Sequence, residues 1–239
     1  MKYLLYNCER LENINFTNFN TSNVTDMSHF FEKCKNLQMV DLKNFNTKNV
    51  KYMNNMFSKC NHLKNIDLSN FNTENVLNMS SIFEKCYLEN IDLFNFNTKN
   101  VLNMNSMFYE SQIRKIHLYN FNTQNVTDMG NMFSKCNNLI NIDLSYLNIQ
   151  NVIDLSGMFS ECRNIKDINL SNLNGEKVID LSYMFSECKE LINVNLSNFK
   201  TKNYVDISGM FNQCSKLTNI NLSNSHFNIS EMSELFNNC

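Results

Sequence analysis

The chain has 239 residues, of which 18% are charged and 12% aromatic, and a formal net charge of −2. Its Lys and Arg residues are scattered, which argues against nucleic acid as a partner, because a phosphate backbone calls for clustered positive charge. No run of about 18 apolar residues could span a membrane, and MKYLLYNCER supplies too few apolar residues before Asn7 for a signal peptide, so no export signal is expected.

One residue type sets the period. Cys recurs at Cys8, Cys34, Cys60, Cys86, Cys136, Cys162, Cys188, Cys214 and Cys239, and Ser111 fills the single vacant slot, so successive steps are 26 or 25 residues. Self-similarity at that period is the signature of a solenoid.

In chain order, Met1, Leu4, Leu5 and Cys8 occupy the slots of the second half of a unit, so the chain opens inside a predicted helix. The copy from Cys34 to Cys60 is the clearest. Val40 and Leu42, two apart, point to one face of a short strand and Asp41 to the other. Phe45 is placed as the wedge where strand meets helix. Thr47, or Asn46, precedes the next apolar run and is expected to cap it. Val50, Met53, Met56, Phe57 and Cys60 then fall within an arc of roughly 120° on a helix, which predicts one buried stripe.

Later copies keep this register. Turns shorten by one residue at Cys86-Tyr87-Leu88 and Ser111-Gln112-Ile113. Two copies replace the N-F-N-T turn by YLNI and NLNG, and Leu155 and Leu181 stand where other copies have Met. The last copy, Leu217 to Cys239, is irregular at SNSHFNIS. Neither end reads as a polar cap, so the expectation is a piece of a longer solenoid or a chain that associates end to end.

A unit of this kind cannot bury its stripe alone, so copies stack. Strands stack at about 4.8 Å and helices at about 8 to 10 Å, which predicts a curved stack. The expected fold is an α/β solenoid over residues 1–239, a single domain of about nine repeats of 25–26 residues: a leucine-rich-repeat horseshoe with parallel strands on the concave face and helices on the convex face.

The motif N-F-N-T-x-N-V-x-x-M-x-x-M-F-x-x-C, clearest in NFNTSNVTDM (18–27) and NFNTQNVTDM (120–129), resembles the BspA-like leucine-rich-repeat surface proteins, in the subgroup common among mycoplasma-type surface lipoproteins. The resemblance covers nearly the whole chain. It implies a non-enzymatic surface or secreted protein serving adhesion or host interaction. Against that pattern, no signal peptide, lipobox or anchor segment is expected from the residues of this chain. The chain also has Lys59, Lys85, Lys135, Glu161 and Glu187 where the family usually has Gly before Cys, an exchange expected to add helix propensity.

The cysteines lack C-x-x-C or C-x-x-H pairing, so buried free thiols are expected, not a metal site. Equivalent positions on neighbouring helices would also lie too far apart for disulfides. The Met columns read as core, not as a soft-metal ladder. Asn46, Asn72, Asn97 and Asn122 read as a structural ladder in the turns. His29, His62, His117 and His226 sit in no catalytic arrangement and no Gly-rich phosphate loop exists, so neither an enzyme nor a cofactor is expected.

The outward column of the strand is Asn15, Asp41, Asp67, Asp92, His117, Asp143, Asn169, Asn195 and Asn221. Phe94 and Tyr119, two residues beyond Asp92 and His117, are expected to be exposed beside them. The candidate partner-binding patch is therefore Asp67, Asp92, Phe94, His117, Tyr119 and Asp143. The plainer alternative has the Asp residues bonding turn groups and Phe94 exposed without consequence. The leading functional expectation is a binding module at the surface or secreted, with a protein or glycan partner. A self-associating structural solenoid and an intracellular, cytoplasmic recognition scaffold are the alternatives.

Overall fold

The computed structural model describes residues 1–171 and 173–239; Asn172, the first residue of the NLNG turn, lies outside the described residues. The chain winds into a parallel β-solenoid of about eight turns, tracked by the bridges that join Asp26, Tyr52, Asn78, Asn103, Asp128, Asp154, Asp180 and Asp206 in sequence. The expected strand forms at the two ends of the stack, whereas residues 66–68, 91–93, 116–118 and 142–144 between them follow the same path without strand pairing. β1 (Asn13–Ile14) pairs in parallel with β2 (Met39–Val40). β3 (Asp167–Asn169) and β4 (Asn193–Asn195) pair in parallel, and β6 (Asn219–Asn221) adds to β4. The longest pair, β5 (Lys200–Asp206) with β7 (His226–Glu231), closes the other side of the last coils.

The expected convex helices are absent: among the described residues there is no α-helix. The stretch from Met53 to Cys60 is a chain of tight turns. Met56 N–H donates to Met53 C=O (3.1 Å), Ser58 N–H to Asn55 C=O (3.2 Å) and Cys60 N–H to Phe57 C=O (3.1 Å). The intervening N–H groups leave the coil. Those of Met53, Asn55, Phe57 and Lys59 donate to the C=O groups of Asn78, Ser80, Ile82 and Glu84 in the next one, at 2.8 to 3.0 Å. A helix would have spent these donors within itself. Here half of them stitch coil to coil, which satisfies the backbone and draws this side to the same spacing as the strand side. The mismatch that would curve the stack into a horseshoe is thereby removed.

The turn chain needs the left-handed backbone twice per coil. Asn55 and Lys59 have φ of 57° and 62°, and the pattern repeats at Ser81 and Lys85, Asn131 and Lys135, and Gly157 and Glu161. Type II turns demand positive φ at their third residue. The slot before Cys is thus a left-handed position, and Lys59, Lys85, Lys135, Glu161 and Glu187 add strain there, not helix propensity. Their side chains recover part of that cost by linking coils, as in Lys85 to Glu110 (3.2 Å) and Lys135 to Glu161 (3.3 Å). Such exposed pairs contribute about 0 to 1 kcal/mol, against about 1 to 2 kcal/mol for a left-handed non-glycine residue. Lys85→Gly is therefore expected to stabilise the fold by about 0.5 kcal/mol, after the greater unfolded-state entropy of glycine is counted. A urea midpoint that falls would contradict this.

Thr47 caps no helix. Its buried hydroxyl donates to Asn72 C=O (2.9 Å) and accepts Asn72 N–H (2.8 Å), so it bridges two coils. Thr21 and Thr123 do the same for Asn46 and Asn148. The Asn ladder forms as expected and in two modes. Asn46 and Asn72 accept the N–H two residues on in their own turn. Asn70 and Asn95 reach back with Nδ2 to carbonyls of the preceding coil.

The apolar residues form one cluster between the two sides of the coil, and Phe45 is buried in it as expected. At its centre Phe31, Phe57, Phe83, Phe108, Phe133, Phe159, Phe185 and Phe211 stack ring on ring, and the exposed Phe236 continues the column, with centroids 5.4 to 6.0 Å apart and planes within 16°. Met53, Met79, Met104 and Met129 are fully buried beside them. The cysteines are free thiols, buried from Cys34 to Cys214, with Cys8 half-buried and Cys239 exposed. Helix spacing does not keep them apart, since there is no helix among the described residues. Each buried sulfur instead turns toward a backbone carbonyl of the preceding coil, as Cys60 to Phe31 (3.2 Å) and Cys162 to Phe133 (2.9 Å).

Candidate functional site

All six residues of the expected patch are exposed on one outward side of the middle coils, where no strand is formed: Asp67, Asp92, His117 and Asp143 stand in irregular backbone, and Phe94 and Tyr119 at the turns that follow. The outward column is held by the backbone. Asp67 accepts the N–H of Ser69 (2.9 Å), Asp92 that of Phe94 (2.9 Å) and Asp143 that of Ser145 (3.0 Å). Asn15, Asn169, Asn195 and Asn221 make the same two-residue turn. The plainer reading of the Asp residues is thus correct for one oxygen of each. Accepting hydrogen bonds favours the charged form, so the Ser69 hydroxyl and N–H hold Asp67 below the usual carboxylate range, and the Ser145 pair does so for Asp143. On neighbouring coils, Asp67 and Asp92 line one recess of about 220 Å³ with Ser69, Phe94 and Asn95. Asp143 lines a separate, smaller one with Ser145 and Asn169.

Between the two recesses runs an aromatic ridge. Phe94 and Tyr119 are 65% and 50% exposed, with ring centroids 6.2 Å apart. His117 lies 6.0 Å from Tyr119. Tyr146, which sequence reasoning passed over, extends the ridge by one coil; it is 53% exposed and meets Tyr119 edge-on at 6.4 Å. Its signal was present. Tyr146 stands in the column of Asn70, Asn95 and Asn120, whose amides reach back to the preceding coil, and a phenol there cannot donate in the same way. The exchange trades a structural hydrogen bond for exposed aromatic surface.

Among the described residues no group of three or more His, Cys, Asp or Glu is arranged to hold a metal, and no helix is long and apolar enough to cross a membrane. The arrangement offers contact surface: rings that stack, and carboxylate oxygens that accept hydrogen bonds.

Coil, ladder and exposed strip together define a parallel β-solenoid repeat protein. The model of a family described as "Mycoplasma protein of unknown function, DUF285" matches residues 1–117 and again 111–225. The chain belongs to that family, and its repeat is that of the BspA-like leucine-rich-repeat proteins. Among solved structures it is similar to a leucine-rich repeat protein from Bacteroides ovatus, at 17% identity and a TM-score of 0.46, over 95% of this chain and 72% of the other. It is also similar to a leucine rich cell surface protein from Faecalibacterium prausnitzii, at 17% identity and a TM-score of 0.44, over 91% and 74%. No curated protein matches the chain.

Proposed function

We propose that the protein is a non-enzymatic binding module, displayed at the cell surface or secreted, whose exposed aromatic and carboxylate face on the middle coils holds a protein or glycan partner. Phe94, His117, Tyr119 and Tyr146 supply the contact ridge, and Asp67, Asp92 and Asp143 accept hydrogen bonds on either side of it. The observation that carries this reading is the ridge itself. Elsewhere the same face is mostly Ser, Asn and Asp, which bond the backbone, whereas three large rings on adjacent coils stand open to solvent with no intramolecular task. Aromatic anchors of this type dominate binding energy at protein surfaces. Surface display rests on the resemblance to BspA-like proteins.

The test is a panel of immobilised glycans and extracellular-matrix proteins, probed with the wild-type chain and with a double variant, Asp92→Ala with Tyr119→Ala. The expectation is at least one ligand whose Kd rises tenfold or more in the variant, the size of effect that losing an anchor produces. Equal retention of every ligand by both chains would remove this face from consideration.

A further inference from the structure

We propose that the recess shared by Asp67, Asp92 and Phe94 takes an arginine side chain of a protein partner, with the guanidinium between the two carboxylates and against the phenyl ring. This rests on the binding role proposed for the strip and commits its partner to a protein, not a glycan. The fold does not require charge at these two positions. Each carboxylate closes a turn by accepting the N–H two residues on, and Asn15, Asn169, Asn195 and Asn221 do the same in their own coils. Elsewhere on the surface a carboxylate on one coil meets a cation on a neighbour, as Glu110 meets Lys85, Glu161 meets Lys135 and Glu190 meets Lys216. Asp41, in the same column, meets Lys43 at 3.0 Å. Among the described residues, Asp67 and Asp92 have no such partner. Two like charges on neighbouring coils repel, and a cation between them removes that cost.

The lining selects the kind of cation. Its donors are already spent: the N–H groups of Ser69 and Phe94 go to Oδ1 of Asp67 and Asp92, and the Ser69 hydroxyl is turned to Asp67. Asn95 uses Nδ2 on the carbonyls of Leu68, Ser69 and Phe71 at 2.8 to 3.1 Å. The backbone leaves Oδ2 of each carboxylate, so the recess offers acceptors. A guanidinium carries donors only, in a planar fork that suits carboxylates, whereas hydroxyls on a sugar act in both roles. A calcium ion takes roughly six to eight oxygens, more than two partly committed carboxylates supply. Ile66, Leu68 and Phe94 complete the lining. An arginine lays its aliphatic stem along such apolar surface and stacks its head on an aromatic face. The recess of Asp143 has less than a third of this volume and no aromatic wall.

The experiment titrates the whole ¹⁵N-labelled chain with Nα-acetyl-arginine methylamide and with its citrulline counterpart, which has the same shape and no charge. The arginine probe is expected to move the amide signals of Ser69, Phe94 and Asn95 as one saturable set, and the citrulline probe to bind at least tenfold more weakly. Asp67→Asn and Asp92→Asn keep the turn acceptor, so the rest of the spectrum should stay in place while each weakens the arginine probe about tenfold. Tyr146→Ala should leave the probe unaffected. No saturable shift, shifts centred elsewhere, equal binding of citrulline, or undiminished binding by the Asn variants would overturn the proposal. So would calcium chloride producing the same set of shifts and displacing the probe. A panel ligand lost with Tyr119→Ala but retained by the double variant Asp67→Asn with Asp92→Asn would remove the arginine site and leave the binding role of the ridge standing.

Discussion

Stability is expected to be flat between about pH 7 and 8 and to collapse between about pH 9 and 11. Seven thiols, those of Cys34, Cys60, Cys86, Cys136, Cys162, Cys188 and Cys214, have no exposure to solvent. Burial pushes Cys34, Cys136 and Cys214 up to about 12 and raises the other four as well. In the unfolded chain the same groups ionise near the ordinary value of 9.0. Above that pH the folded state therefore holds protons that the unfolded state has released, and raising the pH favours unfolding. Each thiol contributes about 1.4 kcal/mol per pH unit, so the seven together reach about 10 kcal/mol per unit, comparable with the whole stability of a typical domain. Urea melts from pH 7 to 10.5 measure this directly. Cys162→Ala should lessen the alkaline slope by about one seventh, whatever it does to stability at neutral pH. A midpoint unchanged from pH 8 to 10.5 would refute the claim.

Phe133→Ala should cost about 3 to 5 kcal/mol, the range for truncating a buried aromatic residue. Phe133 has no exposed surface and stacks on Phe108 and Phe159, each with centroids 5.6 Å away. Removing its ring leaves a void between two rings that cannot close it, because their coils are fixed by backbone hydrogen bonds on both sides. Phe133 N–H itself donates to Met158 C=O (2.9 Å) and Phe108 N–H to Met132 C=O (2.9 Å). In a repeat stack each coil is held only by its neighbours, so the damage should fall on the centre. Hydrogen exchange is expected to rise first in the coils around Phe108, Phe133 and Phe159. Uniform loosening along the whole chain would argue against a locally coupled stack.

The stacking, the burial of the Cys, Met and Phe columns and the outward Asp column were all legible in the sequence, because each follows from a period that any solenoid must respect. The helix was misread for a reason internal to the same residues. Spacings of 3, 3, 1 and 3 from Val50 to Cys60 place side chains on one stripe of a helix and equally on the inner side of a chain of four-residue turns. The discriminating residues were the outward ones. Asn55, Asn131, Gly157 and Gly209 occupy one left-handed slot, where Asn and Gly are the residues that accept positive φ most readily. The Gly that BspA-like repeats carry before Cys marks the second slot. Of the contact strip, Phe94 and Tyr119 could be placed because they follow the outward column by two residues, although the structure puts them at turns and not on strands. Tyr146 could not, because it falls one residue further into the same kind of turn, where side depends on a backbone path that periodicity does not specify.

Backbone hydrogen bonds that run from the turns of each coil to the next give the molecule a contour length proportional to repeat number. Each added copy advances the stack by about 4.8 Å. Gain or loss of whole units then acts as a ruler, setting how far the aromatic ridge stands from whatever lies at the base.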